Sequence, residues 1–83
     1  MENVPKREEL NRIALEKFGK RLREIRKQNG FSTAEQAALE LGIQRAQYTR
    51  YESGKANLNY LTLVEILRAF DISVVDFFSN GFD

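Results

Sequence analysis

From Leu10 onward, apolar residues recur at Ala14, Phe18, Leu22 and Ile25 in steps of three and four, with Ile13 beside them. That spacing lines one face of an α-helix and is sustained to about Gln28. Pro5 suits a first helical turn with Asn3 as its cap, and Asn29-Gly30 stops the helix. Gly19 interrupts the pattern. It is either an interior glycine costing about 1 kcal/mol relative to Ala or the junction between a loose extension and the folded core. The pattern then resumes in shorter pieces. Ser32 opens a second helix, and Glu35 three residues later completes a capping box. Ala34, Ala37, Ala38 and Leu41 give that helix a small-residue face, which lets a neighbour approach closely, and Gly42 ends it.

Only a few residues separate Gly42 from a third helix over about Arg45 to Glu52. So short a connection makes two helices cross steeply, as in a helix-turn-helix. Tyr48 and Tyr51 share one face of the third helix, while Arg45, Ala46, Thr49 and Arg50 point elsewhere. Arginine can bond guanine bidentately, and Ala and Thr can lie against a thymine methyl. In outline this is a DNA-reading face. Gln44 is a weak helix cap, so its amide is either merely tolerated there or free to meet a phosphate or base edge.

Ser53 to Asn57 form a polar turn, after which Asn59 or its neighbour caps a fourth helix. Leu61, Leu63, Val64, Ile66, Leu67, Ala69 and Phe70 make it apolar over most of its circumference. Such a helix is central in a bundle or shared with a second subunit. Asp71-Ile72 closes it. Ser73 then caps a last short helix through Phe78, with Asp76 as its box partner.

Composition narrows the chemistry. The 83 residues form one domain with a modest core, for which about 4 to 12 kcal/mol of stability is expected. There is no cysteine and no histidine, so disulfides, thiolate metal sites and the usual general base are all missing. Glu8, Glu9 and Glu16 read as a solvated helix face. No enzyme activity, metal or cofactor is expected. No apolar run reaches the roughly 20 residues of a membrane span, and the charged start lacks a signal-peptide core, which gives the expectation of a cytoplasmic protein. The net charge of +1 hides a gradient of +4 over residues 1–30, 0 over 31–55 and −3 over 56–83. That gradient suits a chain offering one end to an anion, or it is an ordinary uneven surface.

Taken in order, several short runs link up. They are Arg21 to Arg26, Gly30-Phe31-Ser32, Ala38 four residues before Gly42, Gly42-Ile43 and Arg50-Tyr51-Glu52-Ser53-Gly54. Thr62-Leu63, Ile66, Ala69, Ile72 and Phe77-Phe78 continue them. Together they resemble the phage repressor and Cro-like helix-turn-helix family, the XRE family, over about residues 18 to 78. The resemblance implies an all-α, compact five-helix bundle of lambda-repressor type, its first helix extended at the N-terminus. Residues 1–17 would be that helical extension and 18–83 the DNA-binding domain. The third helix would enter the major groove of double-stranded DNA, usually as part of a homodimer. By the match, Arg45, Ala46, Thr49 and Arg50 fall where base edges are read, and Gln44, Lys55 and Asn57 where phosphates are met. Thr33 and Gln47 complete the DNA-facing set. Glu52 matches an acid that pairs with a first-helix arginine, here Arg26.

Besides the extension over residues 1–17, the chain departs from the family pattern at two places. Thr33-Ala34-Glu35-Gln36 stands where members often carry Gln-Glu, and the segment between Ser32 and Ala38 is one residue longer. Tyr48 and Tyr51 replace smaller aliphatic residues. A tyrosine can still pack its ring, and core packing is the expected role of Tyr48.

The function these features imply is a sequence-specific transcriptional regulator, a repressor reading a palindromic operator through the helix at about 45–52. The alternative is a protein-interaction module, an antitoxin or adaptor, binding a partner protein with or without DNA. Leu10 and Ile13 on the extension, with Phe77, Phe78 and Phe82 at the other end, are the candidate interface residues. A homodimer seam at the C-terminal helices is the simpler use of those phenylalanines.

Overall fold

α1 (Arg7–Gln28) is the longest element and the one on which the others rest. It is followed by α2 (Ala34–Leu41), α3 (Arg45–Glu52), α4 (Tyr60–Ala69) and α5 (Val74–Phe78). The computed structural model describes residues 6–83, all-helical with no strand among them. Asn3 and Pro5, expected to open the first helix, lie outside the described residues. As described, α1 starts behind Lys6, whose side chain makes no cap, while Glu8 and Glu9 set negative charge against the positive helix end.

Only the second half of α1 is buried. Phe18, Gly19, Arg21, Leu22, Ile25 and Arg26 face the bundle, whereas Leu10 and Ala14, on the same apolar stripe, are exposed. The helix therefore runs past the core, and the molecule is drawn out to 49 Å along one axis against 26 and 23 Å on the others. Leu22, Ile25, Ala37, Ala38, Tyr48, Ile66, Leu67 and Phe77 form the centre, each with at most 1% of its surface exposed. Truncating one of the larger aliphatics there would cost about 2–5 kcal/mol.

α2 begins one residue later than the spacing of Ser32 and Glu35 suggested. Thr33 is the cap: its Oγ1 accepts from the Gln36 N–H at 3.1 Å. Gln36 Oε1 in turn accepts from the Ser32 N–H at 3.2 Å and from Ser32 Oγ at 3.1 Å. Thr33-x-x-Gln36 is a variant of the capping box, its return bond made to the residue before the cap, and it wins over Ser32-x-x-Glu35. This register points Glu35 outward. Asn59 caps α4 by accepting from Thr62 N–H at 2.9 Å, and Ser73 caps α5 by accepting from Asp76 N–H at 3.0 Å.

Within α4, Leu63, Ile66 and Leu67 are buried, but Leu61 is 71% exposed and Tyr60 63%. The helix ends at Ala69, and Asp71, with φ 57, turns the chain beyond the Phe70 cap, with Ile72 N–H bonded to Leu67 O at 3.0 Å. α5 is fastened to α1 by Arg21. Its Nε donates to Phe77 O at 2.7 Å and its Nη2 to Asp76 O at 3.0 Å, while Cζ lies 5.8 Å from the Phe77 ring centroid. A buried guanidinium thus supplies donors and positive charge to carbonyls at the end of α5.

Phe77 was expected in an exposed aromatic cluster; it is fully buried instead. Its ring packs on Phe18 at 5.5 Å, on Phe78 at 4.9 Å and on Phe82 at 5.9 Å. With α5 held by Arg21, Phe77 points inward. Phe78 stays 43% exposed, and Phe82 is half-buried.

Candidate nucleic-acid interface

Three residues, Gly42, Ile43 and Gln44, join α2 to α3. Gly42 takes φ 71 and bonds back to Leu39 O at 3.2 Å, and Ile43 N–H reaches Ala38 O at 3.0 Å. The left-handed cap turns the chain sharply, and any side chain at Gly42 would strain it. Ile43 is half-buried and packs with Leu41 against the core. The turn is therefore anchored by its middle residue.

α3 is divided lengthwise. Tyr48, Tyr51 and Glu52 are buried; Arg45, Ala46, Thr49 and Arg50 are exposed together on the opposite side, and Gln47 sits half-buried at the edge. Two contacts bring the buried side onto α1. Gly19 allows the first: a Cβ there would stand 2.8 Å from Tyr51 O, 2.7 Å from the Glu52 carbonyl carbon and closer still to its oxygen. The glycine left open by the sequence is thus the place where two backbones touch. Gly54 likewise lies on the Glu16 backbone, where an added Cβ would meet Cα at 3.0 Å.

The second contact is ionic. Arg26 Nε donates to Glu52 Oε2 at 2.8 Å and Arg26 Nη1 to Phe31 O at 2.9 Å, so one side chain ties α1 to α3 and to the loop before α2. Arg23 Nε stands 3.8 Å from the other Glu52 oxygen. Beside this pair the Tyr48 hydroxyl is enclosed with no hydrogen-bond partner. Burial first, and then the Glu52 carboxylate, push its ionisation well above the usual 10.0, against a smaller opposing pull from Arg26. Glu52 is near enough to act on the phenol without closing a bond of good geometry.

On the exposed side, Arg45 Nη1 donates to Glu35 Oε2 at 3.0 Å across the turn. Arg50 Nη2 donates to Lys55 O at 3.1 Å, and Lys55 N–H to Arg50 O at 2.9 Å, which folds the α3–α4 turn beneath the helix. Lys55 and Asn57 are exposed, Asn57 beside Asn11, Ala14 and Leu15 of α1. Gln44, also exposed, makes no side-chain cap. Thr33 is exposed at the start of α2 with its hydroxyl engaged in the cap. Two side chains gained roles that the sequence reading did not assign. Arg21 holds α5 and Glu35 holds Arg45, at separations where no periodic signal exists.

What emerges is a surface with Arg45 and Arg50 on a helix whose back is fixed to the bundle, and with Lys55 in the turn that follows it. Among the described residues no helix is long and apolar enough to cross a membrane. Comparison with known proteins agrees with this geometry. A family model described as helix-turn-helix matches residues 22–77. The control protein C.MunI of a Mycoplasma species is 28% identical over 64 residues, which cover 77% of this chain and 86% of that protein. The crystal structure of the restriction-modification controller protein C.AhdI from Aeromonas hydrophila superposes with a TM-score of 0.69 at 33% identity. That superposition covers 77% of this chain and 96% of C.AhdI. The chain therefore belongs to the helix-turn-helix family of phage repressor and Cro type, and it is a sequence-specific DNA-binding transcriptional regulator.

Proposed function

We propose that the protein is a homodimeric controller of transcription that occupies a palindromic operator, acting in the cytoplasm as a repressor. The observation that carries this reading is the division of α3. Its buried side is fixed to α1, and its exposed side offers Arg45, Ala46, Thr49 and Arg50. Arg45 and Arg50 have the donors to read base edges, and Ala46 and Thr49 the methyl groups to meet thymine. Lys55, Gln44, Asn57 and Thr33 surround that face as phosphate contacts, which fix register without carrying sequence information. Residues 18–83 form the DNA-binding domain in this reading, and 1–17 extend it.

Dimerisation is assigned to α4 and α5. Tyr60, Leu61, Val75 and Phe78 are exposed there, and Val64, Leu67, Ile72 and Val74 line a groove between the two helices. Both relatives described above are controller proteins by description, which supports a controlling role here over that of an enzyme. Leu10, 51% exposed on the extension with Ile13 half-buried beside it, favours a second reading, the docking of a partner protein on α1.

Selection of bound duplexes from a random library at physiological salt tests the proposal. A palindrome with half-sites about 34 Å apart is the expected product of two recognition helices related by a two-fold axis. Binding that is weak, salt-sensitive and without sequence preference would reject it.

A further inference from the structure

We propose that Glu35 is a positioning residue that sets operator specificity through Arg45. The proposal rests on the reading of Arg45 as a base-contacting residue. Arg45 is the first residue of α3, where the helix dipole is positive. No acidic residue stands in the first turn of α3, and Gln44 provides no side-chain cap. A cation there is badly placed by its own helix. Glu35, on the first turn of α2, supplies the missing negative charge from across the turn, 3.0 Å from Arg45 Nη1.

Both side chains are 68% exposed, so the pair contributes little to folding. Its consequence lies in where it leaves the guanidinium. One Nη1 bond to the carboxylate leaves the Nε and Nη2 edge open, and that edge can still bond guanine bidentately. A long, unrestrained arginine would instead sample nearby phosphates, which carry no sequence information. Glu35 holds the fork against that alternative, and its own charge repels a phosphate that comes close. The register of α2 makes this possible, because Thr33 and Gln36 form the cap and free Glu35 from it.

The experiment compares wild type, Glu35→Gln, Arg45→Ala and the double variant. Each is titrated by fluorescence anisotropy against the selected operator, single-base-pair variants of it and an unrelated duplex, over a range of salt. Circular dichroism confirms equal helicity. Arg45→Ala is expected to lower preference at one base pair per half-site by about 5- to 150-fold. Glu35→Gln should lower preference at that same pair by about two- to fivefold, the scale of an exposed ion pair. Its binding to unrelated duplex should tighten, with a salt slope steeper by about 0.9. In the Arg45→Ala background, Glu35→Gln should change preference at no position. Loss of affinity by one common factor on every duplex would overturn the inference, as would an unchanged effect of Glu35→Gln in the absence of Arg45. If Arg45→Ala itself alters no base preference, the base-reading role falls and this inference with it. A base-specific loss for Arg45→Ala without one for Glu35→Gln removes this inference alone.

Discussion

Arg26 of α1 and Glu52 of α3 form a buried ion pair, Nε to Oε2 at 2.8 Å, that joins the end of α3 to the scaffold. Both side chains are at least nine-tenths withdrawn from water, so neither charge tolerates loss of the other. Glu52→Gln should destabilise the protein by about 3–5 kcal/mol, since Arg26 would keep a charge with no anion beside it. Denaturant unfolding monitored by circular dichroism measures this. Replacing both residues by apolar ones of similar size should cost far less, because the desolvation of two ions is removed together.

Gly19 lies against Tyr51 and Glu52 so closely that a methyl group needs one of two backbones to move. Gly19→Ala gains about 1 kcal/mol of helix propensity and still should be destabilising overall, by about 1–3 kcal/mol from overpacking. Because the strain falls on α3, operator affinity should drop as well. Thermal melts together with an operator titration check both effects.

Tyr48 buries a hydroxyl without a partner. Tyr48→Phe should leave DNA binding unchanged and raise stability by about 1 kcal/mol, since an unsatisfied polar group is removed with little change of shape. The two proteins should also differ in alkali. Above about pH 10 the unfolded chain releases the Tyr48 proton while the folded chain keeps it, so the unfolded state binds fewer protons. Stability therefore falls with rising pH, by about 1.4 kcal/mol per pH unit from this residue. Tyr48→Phe should lack that component. Urea midpoints at about pH 9 and 11 decide it.

Arg45 and Lys55 should fail in different ways. Arg45→Ala should cost about 1–3 kcal/mol on the operator and relax preference at one base pair per half-site. Lys55→Ala should weaken every duplex alike and lower the salt slope by about one. Titrations against base-pair variants at several salt concentrations separate the two.

Leu61 and Val75 are among the most exposed apolar residues, at 71% and 78%. A double Leu61→Glu, Val75→Glu variant should keep the helicity of the folded chain, because surface changes cost each protomer within about 0.5 kcal/mol. Its monomer–dimer equilibrium should weaken by roughly tenfold or more, about 1.4 kcal/mol. Sedimentation equilibrium reads the difference directly.

The number of helices, their order and most of their ends were legible in the chain because they depend on neighbours three or four residues apart. The periodicity from Leu10 to Ile25, the caps Asn59 and Ser73 and the stop at Gly42 are all of this local kind. So is the split of α3 into a tyrosine side and an arginine side, which follows from its period alone. Tertiary structure decided the rest. Ser32 and Thr33 both begin acceptable capping boxes, and only the folded register selects Thr33. Gly19 reads as a weak point until α3 lies across it, and Phe77 reads as an outward aromatic until Arg21, 56 residues earlier, turns α5 inward. Glu35 and Arg45 meet only because a three-residue turn folds one helix back on the other. Contacts between residues far apart in sequence leave no periodic trace along the chain. They arise when helix faces, each locally determined, find the one arrangement that buries their apolar sides together.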